Sequence, residues 1–240
     1  MKITIGYIYP KLLNMFGDIG NITALKKRCE WRNIEVCIKE FHTGDEIDLT
    51  DIDILYLGGG GERETLISLE NLMNCKETLK NFVEDNGVML AVCSGYEISG
   101  IEFYVDNKPK AGLSLVNIKS EQGSKRFVSN VVLETEFGKI VGFENHLGRM
   151  KTGIHAPLGK VIYGNGNNGE DGAEGVLYKN FFGTYLDGPI LPKNPELCDE
   201  LIKRALIRKG ENGELFTLDD SVELKAKEYI ITKYAEKRGC

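Results

Sequence analysis

The first hundred residues alternate between short apolar runs and segments with apolar residues at helical spacing, and this alternation limits the fold more than any other feature of the chain. Ile3 to Tyr9, Ile34 to Ile38, Ile52 to Leu57 and Val88 to Val92 read as strands. Between them, Asn21 to Trp31 carries Ile22, Leu25 and Cys29 on one face, and Leu66 to Val83 carries Leu69, Leu72, Leu79 and Phe82. Asn86-Gly87 ends the second helix. Such alternation implies right-handed crossovers and an α/β fold with a mostly parallel sheet flanked by helices. Ligands of these sheets bind beyond the carboxyl ends of the strands. Gly58-Gly59-Gly60-Gly61 and Cys93-Ser94-Gly95 both fall at strand ends, so the two segments can converge.

Cys93 follows Val88-Met89-Leu90-Ala91-Val92 directly and precedes a predicted helix. A nucleophile on a sharp strand-to-helix turn is held exposed, and backbone N–H groups at a helix start favour a thiolate. The ordinary alternative is a small buried cysteine at a strand end. The four glycines are compatible with a plain turn; a phosphate loop is disfavoured because no Gly-Lys-Ser/Thr follows.

Ala111 to Gly153 is richer in short β patterns, with Val131-Val132-Leu133 and Ile140-Val141-Gly142-Phe143 as strands. The run Gly164-Asn165-Gly166-Asn167-Asn168-Gly169-Glu170-Asp171-Gly172 is either an ordered functional loop or a solvated linker. Gly183-Thr184-Tyr185-Leu186 reads as a strand ending at Asp187-Gly188-Pro189. Asn194 as N-cap and Pro195 at the first helical position start a helix that buries Leu197, Leu201, Ile202 and Leu206. A last amphipathic helix carries Val222, Ala226, Tyr229 and Ile230 on one face.

A net charge of −6 argues against a general nucleic-acid or membrane-surface role. No apolar stretch is long enough to span a bilayer, and Met1 to Gly6 is too strand-like for a signal peptide. The six cysteines, Cys29, Cys37, Cys75, Cys93, Cys198 and Cys240, are scattered without a Cys-x-x-Cys pair. Neither a zinc site nor a disulfide framework is indicated, and reduced thiols fit a cytoplasmic protein.

Several stretches together resemble the class I glutamine amidotransferases of the cobyric-acid-synthase type. They are Tyr9-Pro10 with Leu12-Leu13-Asn14, Gly17-Asp18 with Gly20-Asn21, Gly58-Gly59-Gly60 with Arg63, Ala91 to Tyr96, Gly142-Phe143-Glu144-Asn145-His146, Gly166 to Gly172, and Gly183 to Leu186 with Gly188-Pro189. The Gly-Phe-Glu-Asn-His and Asn-Asn-Gly-Glu-Asp-Gly runs narrow the resemblance to the glutaminase subunits of lipid II isoglutaminyl synthases, the GatD type. The resemblance implies an amidotransferase domain over residues 1–210 and a C-terminal helical extension over 211–240 packed on it. It implies hydrolysis of L-glutamine through a thioester on Cys93, with oxyanion N–H donors from Ser94 and Gly60. It aligns Arg126 with a substrate-binding arginine, although an exposed arginine is the simpler reading of the residue itself. It places the acceptor chemistry elsewhere: no cofactor in this chain, ATP and Mg in a Mur-ligase-like MurT partner of a heterodimer, and the D-glutamate of lipid II as acceptor.

One position departs from the family pattern. Asp187 stands where the resemblance calls for the histidine base. With reference pKa values of about 3.9 for Asp and 6.5 for His, a carboxylate is the weaker base at neutral pH. It also raises, rather than lowers, the pKa of a neighbouring thiol. Of the histidines present, His42 and His155 read as loop residues, and His146 belongs to its own motif. No glutamate follows Asp187 at the family's His-x-Glu spacing, so the orienting acid is not legible. Three functions fit: a glutaminase subunit impaired by Asp187 or dependent on its partner, a non-catalytic amidotransferase-like binding protein, and an amidotransferase for a corrinoid or other carboxylate.

Overall fold

The computed structural model describes residues 1–236, so Cys240 lies outside the described residues. The first half lays down β1 (Lys2–Ile8), α1 (Ile19–Glu30), β2 (Glu35–Phe41), β3 (Ile54–Leu57), α2 (Glu62–Leu72), α3 (Lys76–Glu84), β4 (Val88–Val92) and α4 (Ser94–Ser99). The second half supplies β5 (Glu102–Val105), β6 (Lys108–Ala111), β7 (Lys119–Thr135), β8 (Gly138–Lys151), β9 (Gly159–Tyr163), β10 (Ala173–Glu174), β11 (Val176–Tyr178), β12 (Phe181–Thr184), β13 (Leu186–Asp187), α5 (Pro195–Arg208) and α6 (Ser221–Ile231). No helix among the described residues is long and apolar enough to cross a membrane.

The first sheet runs β11-β12-β4-β3-β1-β2 and is parallel throughout except for β11. Every residue of β3 and β4 is buried, which explains why these strands are uninterrupted apolar runs. Their side chains alternate between two cores. Leu55, Leu57, Met89 and Ala91 pack with Leu69, Leu72, Leu79 and Phe82 of α2 and α3. Ile54, Tyr56, Val88 and Leu90 pack with Ile22 and Leu25 of α1 and Leu201 and Ile202 of α5. The second sheet is largely antiparallel and is built on the long β7–β8 hairpin, with β9 on the other side of β7 and β13 on β8.

Four expectations are corrected. The helix expected over Leu66 to Val83 is two, α2 and α3, separated by a 3-10 turn at Met73–Cys75. The strand expected over Gly183 to Leu186 is also two: β12 belongs to the first sheet and β13 to the second, with Tyr185 between them. Asn194 precedes α5 but makes no side-chain cap. Its amide instead bonds both backbone groups of Val141, at 2.9 and 2.8 Å, and the Ile190 carbonyl. The buried face of α6 is Lys227 and Ile231, whereas Val222 and Tyr229 are 74% and 63% exposed. Ile231 joins Val132 and Val141, Lys227 pairs with Glu196 at 2.9 Å, and of the expected stripe Ile230 packs against the same cluster, so the docking face is rotated from the expected one.

Candidate active site

Cys93 sits where β4 gives way to α4, with φ +53° and ψ −118°. A non-glycine residue there costs of order 1–3 kcal/mol and persists only where its surroundings hold it. The Cys93 N–H donates to the Thr184 carbonyl at 2.8 Å, which pins the elbow to β12. On its other side the Gly58–Gly60 turn comes so close that a Cβ at Gly59 would lie 3.0 Å from that of Cys93. The two segments expected to converge do so.

They open onto a cleft of about 240 Å³, lined by Gly60, Cys93, Ser94, Glu97, Arg126 and His146 among others. Arg126 lies at a register break of β7 between Gln122 and Phe127, and it is exposed. Its guanidinium donates to the Asn145 backbone carbonyl at 3.1 Å and to its side-chain oxygen at 3.3 Å. Gly60 and Ser94 both reach the cleft, but the Gly60 N–H donates to Ser94 Oγ at 2.9 Å and so does not face open space.

Asp187, 2% exposed, is a hydrogen-bond partner of the Cys93 thiol, which lines the cleft. Burial pushes its carboxyl up to about 8, with the charges of Asp18, Glu174 and Glu97 adding to the effect and the thiol opposing it. The reference value for a free aspartate therefore does not describe this residue. The thiol is itself pushed well above its ordinary value, first by burial and then by the charges of Asp187 and Glu97. This reverses the expectation that the helix start favours a thiolate: α4 is six residues long, and the backbone bond at Ser94 is outweighed.

One further residue of the cleft, Glu97, escaped sequence reasoning. Glu97 lies one turn of α4 beyond Cys93, a spacing that could have flagged it. Its Oε1 accepts from the Tyr185 hydroxyl at 2.8 Å and Ser120 Oγ at 3.1 Å; burial raises its carboxyl, and those donors pull it back. Tyr185 stacks on His146, with ring centroids 3.7 Å apart and planes within 4°. His146 Nδ1 lies 2.9 Å from the Gly148 carbonyl, and Nε2 is 3.7 Å from the fully buried Glu144. Glu144 in turn accepts from the backbone N–H groups of Asn165 and Gly166, each at 2.9 Å. The glycine- and asparagine-rich run is thus an ordered loop anchored to β8. His42 and His155 lie in loops, as expected.

A doubly flanked parallel sheet with a cysteine elbow, a glycine turn facing it and an arginine at the cleft mouth defines a glutamine amidotransferase fold. The chain belongs to the CobB/CobQ-like glutamine amidotransferase domain family, which it matches over residues 4–195. It is 39% identical over 234 residues to the GatD subunit of lipid II isoglutaminyl synthase (glutamine-hydrolyzing) of Staphylococcus aureus strain N315, covering 97% of this chain and 96% of that one. The corresponding GatD of Streptococcus pneumoniae is 36% identical over 240 residues, covering 97% and 92%. A cobyric acid synthase of Listeria monocytogenes is 28% identical over 181 residues, 70% of this chain but 35% of that protein. Among solved structures, the fold is similar to a glutamine amidotransferase at TM-score 0.57 and 17% identity, covering 84% of this chain and 98% of that one. One from Thermotoga maritima is similar at TM-score 0.52 and 12% identity, covering 95% and 93%.

Proposed function

We propose that the chain is the glutaminase subunit of a two-chain amidotransferase, with Cys93 as nucleophile and Asp187 as its base. The hydrogen-bonded Cys93–Asp187 pair, with Cys93 lining the cleft, carries this reading. A carboxyl held near 8 is matched to proton transfer from a thiol far better than a free aspartate is. In the first step the Asp187 carboxylate takes the Sγ proton as sulfur attacks the side-chain amide carbon of glutamine. The C–N bond then breaks, Asp187 returns the proton to the departing nitrogen, and ammonia leaves a glutamyl thioester. Water, deprotonated by Asp187, attacks the thioester carbon; the C–S bond breaks, the proton returns to sulfur, and glutamate is released. The developing oxyanion is stabilised by the Ser94 N–H and, once Ser94 Oγ moves aside, by the Gly60 N–H. Arg126 at the mouth takes the substrate α-carboxylate, as its fork of donors suits.

The near full-length similarity to the GatD subunits supports a Mur-ligase-like partner that uses ATP and Mg to activate a lipid II carboxylate and receives the ammonia. The high proton affinity of the Cys93 thiol favours a second reading, a binding protein that retained the fold with little turnover. Glutamine hydrolysis measured with and without a co-expressed Mur-ligase-like chain separates them. Turnover abolished by Cys93→Ala supports the glutaminase; no turnover in either preparation supports the binding protein.

A further inference from the structure

The Gly17-Asp18 and Gly20-Asn21 motif plays no part in the steps above, yet the fold inserts it between the two halves of the site. Asp18 is 4% exposed in the turn that leads into α1. Its Oδ1 accepts from the Tyr56 hydroxyl at 2.5 Å and from the Gly59 N–H, inside the glycine turn that faces Cys93, at 3.2 Å. Tyr56 in turn accepts from Asn21 Nδ2 at 2.8 Å, and Asn21 Oδ1 accepts the Leu191 N–H at 2.9 Å. The same turn packs on the residues just after Asp187: a Cβ at Gly20 would fall 2.5 Å from Pro189 Cγ. Asp18 Oδ2, Asp187 Oδ2 and the Tyr7 hydroxyl are each buried without a hydrogen-bond partner among the described residues.

We propose that Asp18 is a positioning residue for the Cys93–Asp187 pair: it ties the Gly58–Gly60 turn to the segment after Asp187 and governs how readily Asp187 gives up its proton. The inference rests on the reading of Asp187 as base. Two buried carboxylates that act on each other electrostatically do not ionise independently. Burial raises the Asp18 carboxyl as well, but the Tyr56 and Gly59 donors on Oδ1 oppose it, whereas Asp187 has the thiol alone; of the two, Asp18 is the better placed to lose its proton first. Burial lifts Asp187 first, and of the charges around it Asp18 acts most strongly, ahead of Glu174 from β10 and Glu97 from α4. The cation on this side, Lys193, has its Nζ on the Gly188 carbonyl at 2.6 Å, and the Asp187 charge opposes its loss of proton by burial. Glu144 of β8 lies opposite Leu186 in the sheet and is already held by the Asn165 and Gly166 donors. An anionic Asp18 thus makes Asp187 a stronger base once it ionises.

The test is the pH dependence of Cys93 alkylation by a glutamine-mimicking electrophile, a readout that does not require turnover. In the unaltered chain the rate is expected to rise through a midpoint set by Asp187. Asp18→Asn should move that midpoint down by about one pH unit while leaving a folded protein by circular dichroism. A folded Asp18→Asn that alkylates more slowly at every pH with the same midpoint would overturn the proposal and leave Asp18 a structural bond to Gly59. Asp187→Asn run alongside isolates the underlying reading: if the limb survives it, Asp187 is not the base. Where Asp18→Asn does not fold, carboxyl carbon NMR of the unaltered chain decides. The Asp18 signal should inflect a second time at the Asp187 midpoint, and a single inflection rejects the coupling.

Discussion

The backbone N–H of Gly60 donates to the Ser94 hydroxyl across 2.9 Å, and Thr65 Oγ1 donates to the same oxygen at 2.9 Å. The side chain beside the nucleophile thus occupies a donor expected to meet the oxyanion. Ser94→Ala removes the acceptor and frees that N–H. Its kcat for glutamine is expected to rise about fivefold, the equivalent of ~1 kcal/mol for one neutral hydrogen bond. Steady-state kinetics checks this; a lower kcat would mean that the hydroxyl instead holds the glycine turn in its working position.

Asp187 gives two pH dependences of opposite sign. As a base it works only when ionised, so glutamine hydrolysis should increase as pH rises through about 8. Its stability effect runs the other way. The folded protein holds the Asp187 proton up to about 8 and the buried Glu174 proton up to about 7, whereas unfolded carboxyls release theirs near pH 4. Between those limits the folded state binds more protons, so stability falls as pH rises. Melting temperature should drop from pH 5 to pH 9, and Asp187→Asn should flatten part of the slope. Asp187→His should shift the activity rise toward neutral pH and speed Cys93 alkylation there, because imidazolium stabilises a thiolate where a carboxylate opposes it.

Tyr185→Phe removes the hydroxyl that donates to Glu97 at 2.8 Å and keeps the ring that stacks on His146. Glu97 is left with Ser120 as its side-chain donor. A loss of about 1–3 kcal/mol is expected from leaving a largely buried carboxylate under-satisfied. Urea denaturation measures it, and an unchanged midpoint would show that water replaces the hydroxyl without cost.

Arg126→Ala should weaken glutamine binding by roughly tenfold, the low end of a charge-assisted bond, because the arginine is exposed and partly screened. Fold and melting temperature should not change, since its bonds are to Asn145 at the cleft rim. Protection of Cys93 from alkylation by added glutamine reports the affinity; equal protection in both proteins would remove Arg126 from the substrate site.

The central sheet was legible because strands buried on both faces are apolar at every position, as Val88–Val92 is. The break between α2 and α3 was not, because Leu72 and Leu79 are seven residues apart and stay on one face across the Met73–Cys75 turn. Long β7 was hidden by polar residues from Lys119 to Arg126, all of them exposed or half-buried except Ser120, which turns inward to Glu97. The expected face of α6 held only at Ile230, because the contact of Ile231 with Val132 and Val141 turns Val222 and Tyr229 to solvent. At the site, motif positions located Cys93, Gly60, Ser94 and Asp187, but not what burial does to them. A reference pKa assumes water all around the group; Asp187 is almost wholly buried and Cys93 only partly open to the cleft. Glu97 and Asp18 were missed for the same reason: a carboxylate declares its importance through its neighbours, and these come from distant parts of the chain.

Cys93 follows the end of β4 in the first sheet, Asp187 belongs to the second sheet, and Tyr185 is the single residue that carries the chain from β12 to β13. The two hydrogen-bonded side chains are therefore carried by different sheets joined through one residue. In the proposed mechanism, the alignment of nucleophile and base therefore depends on how the two sheets are seated against each other.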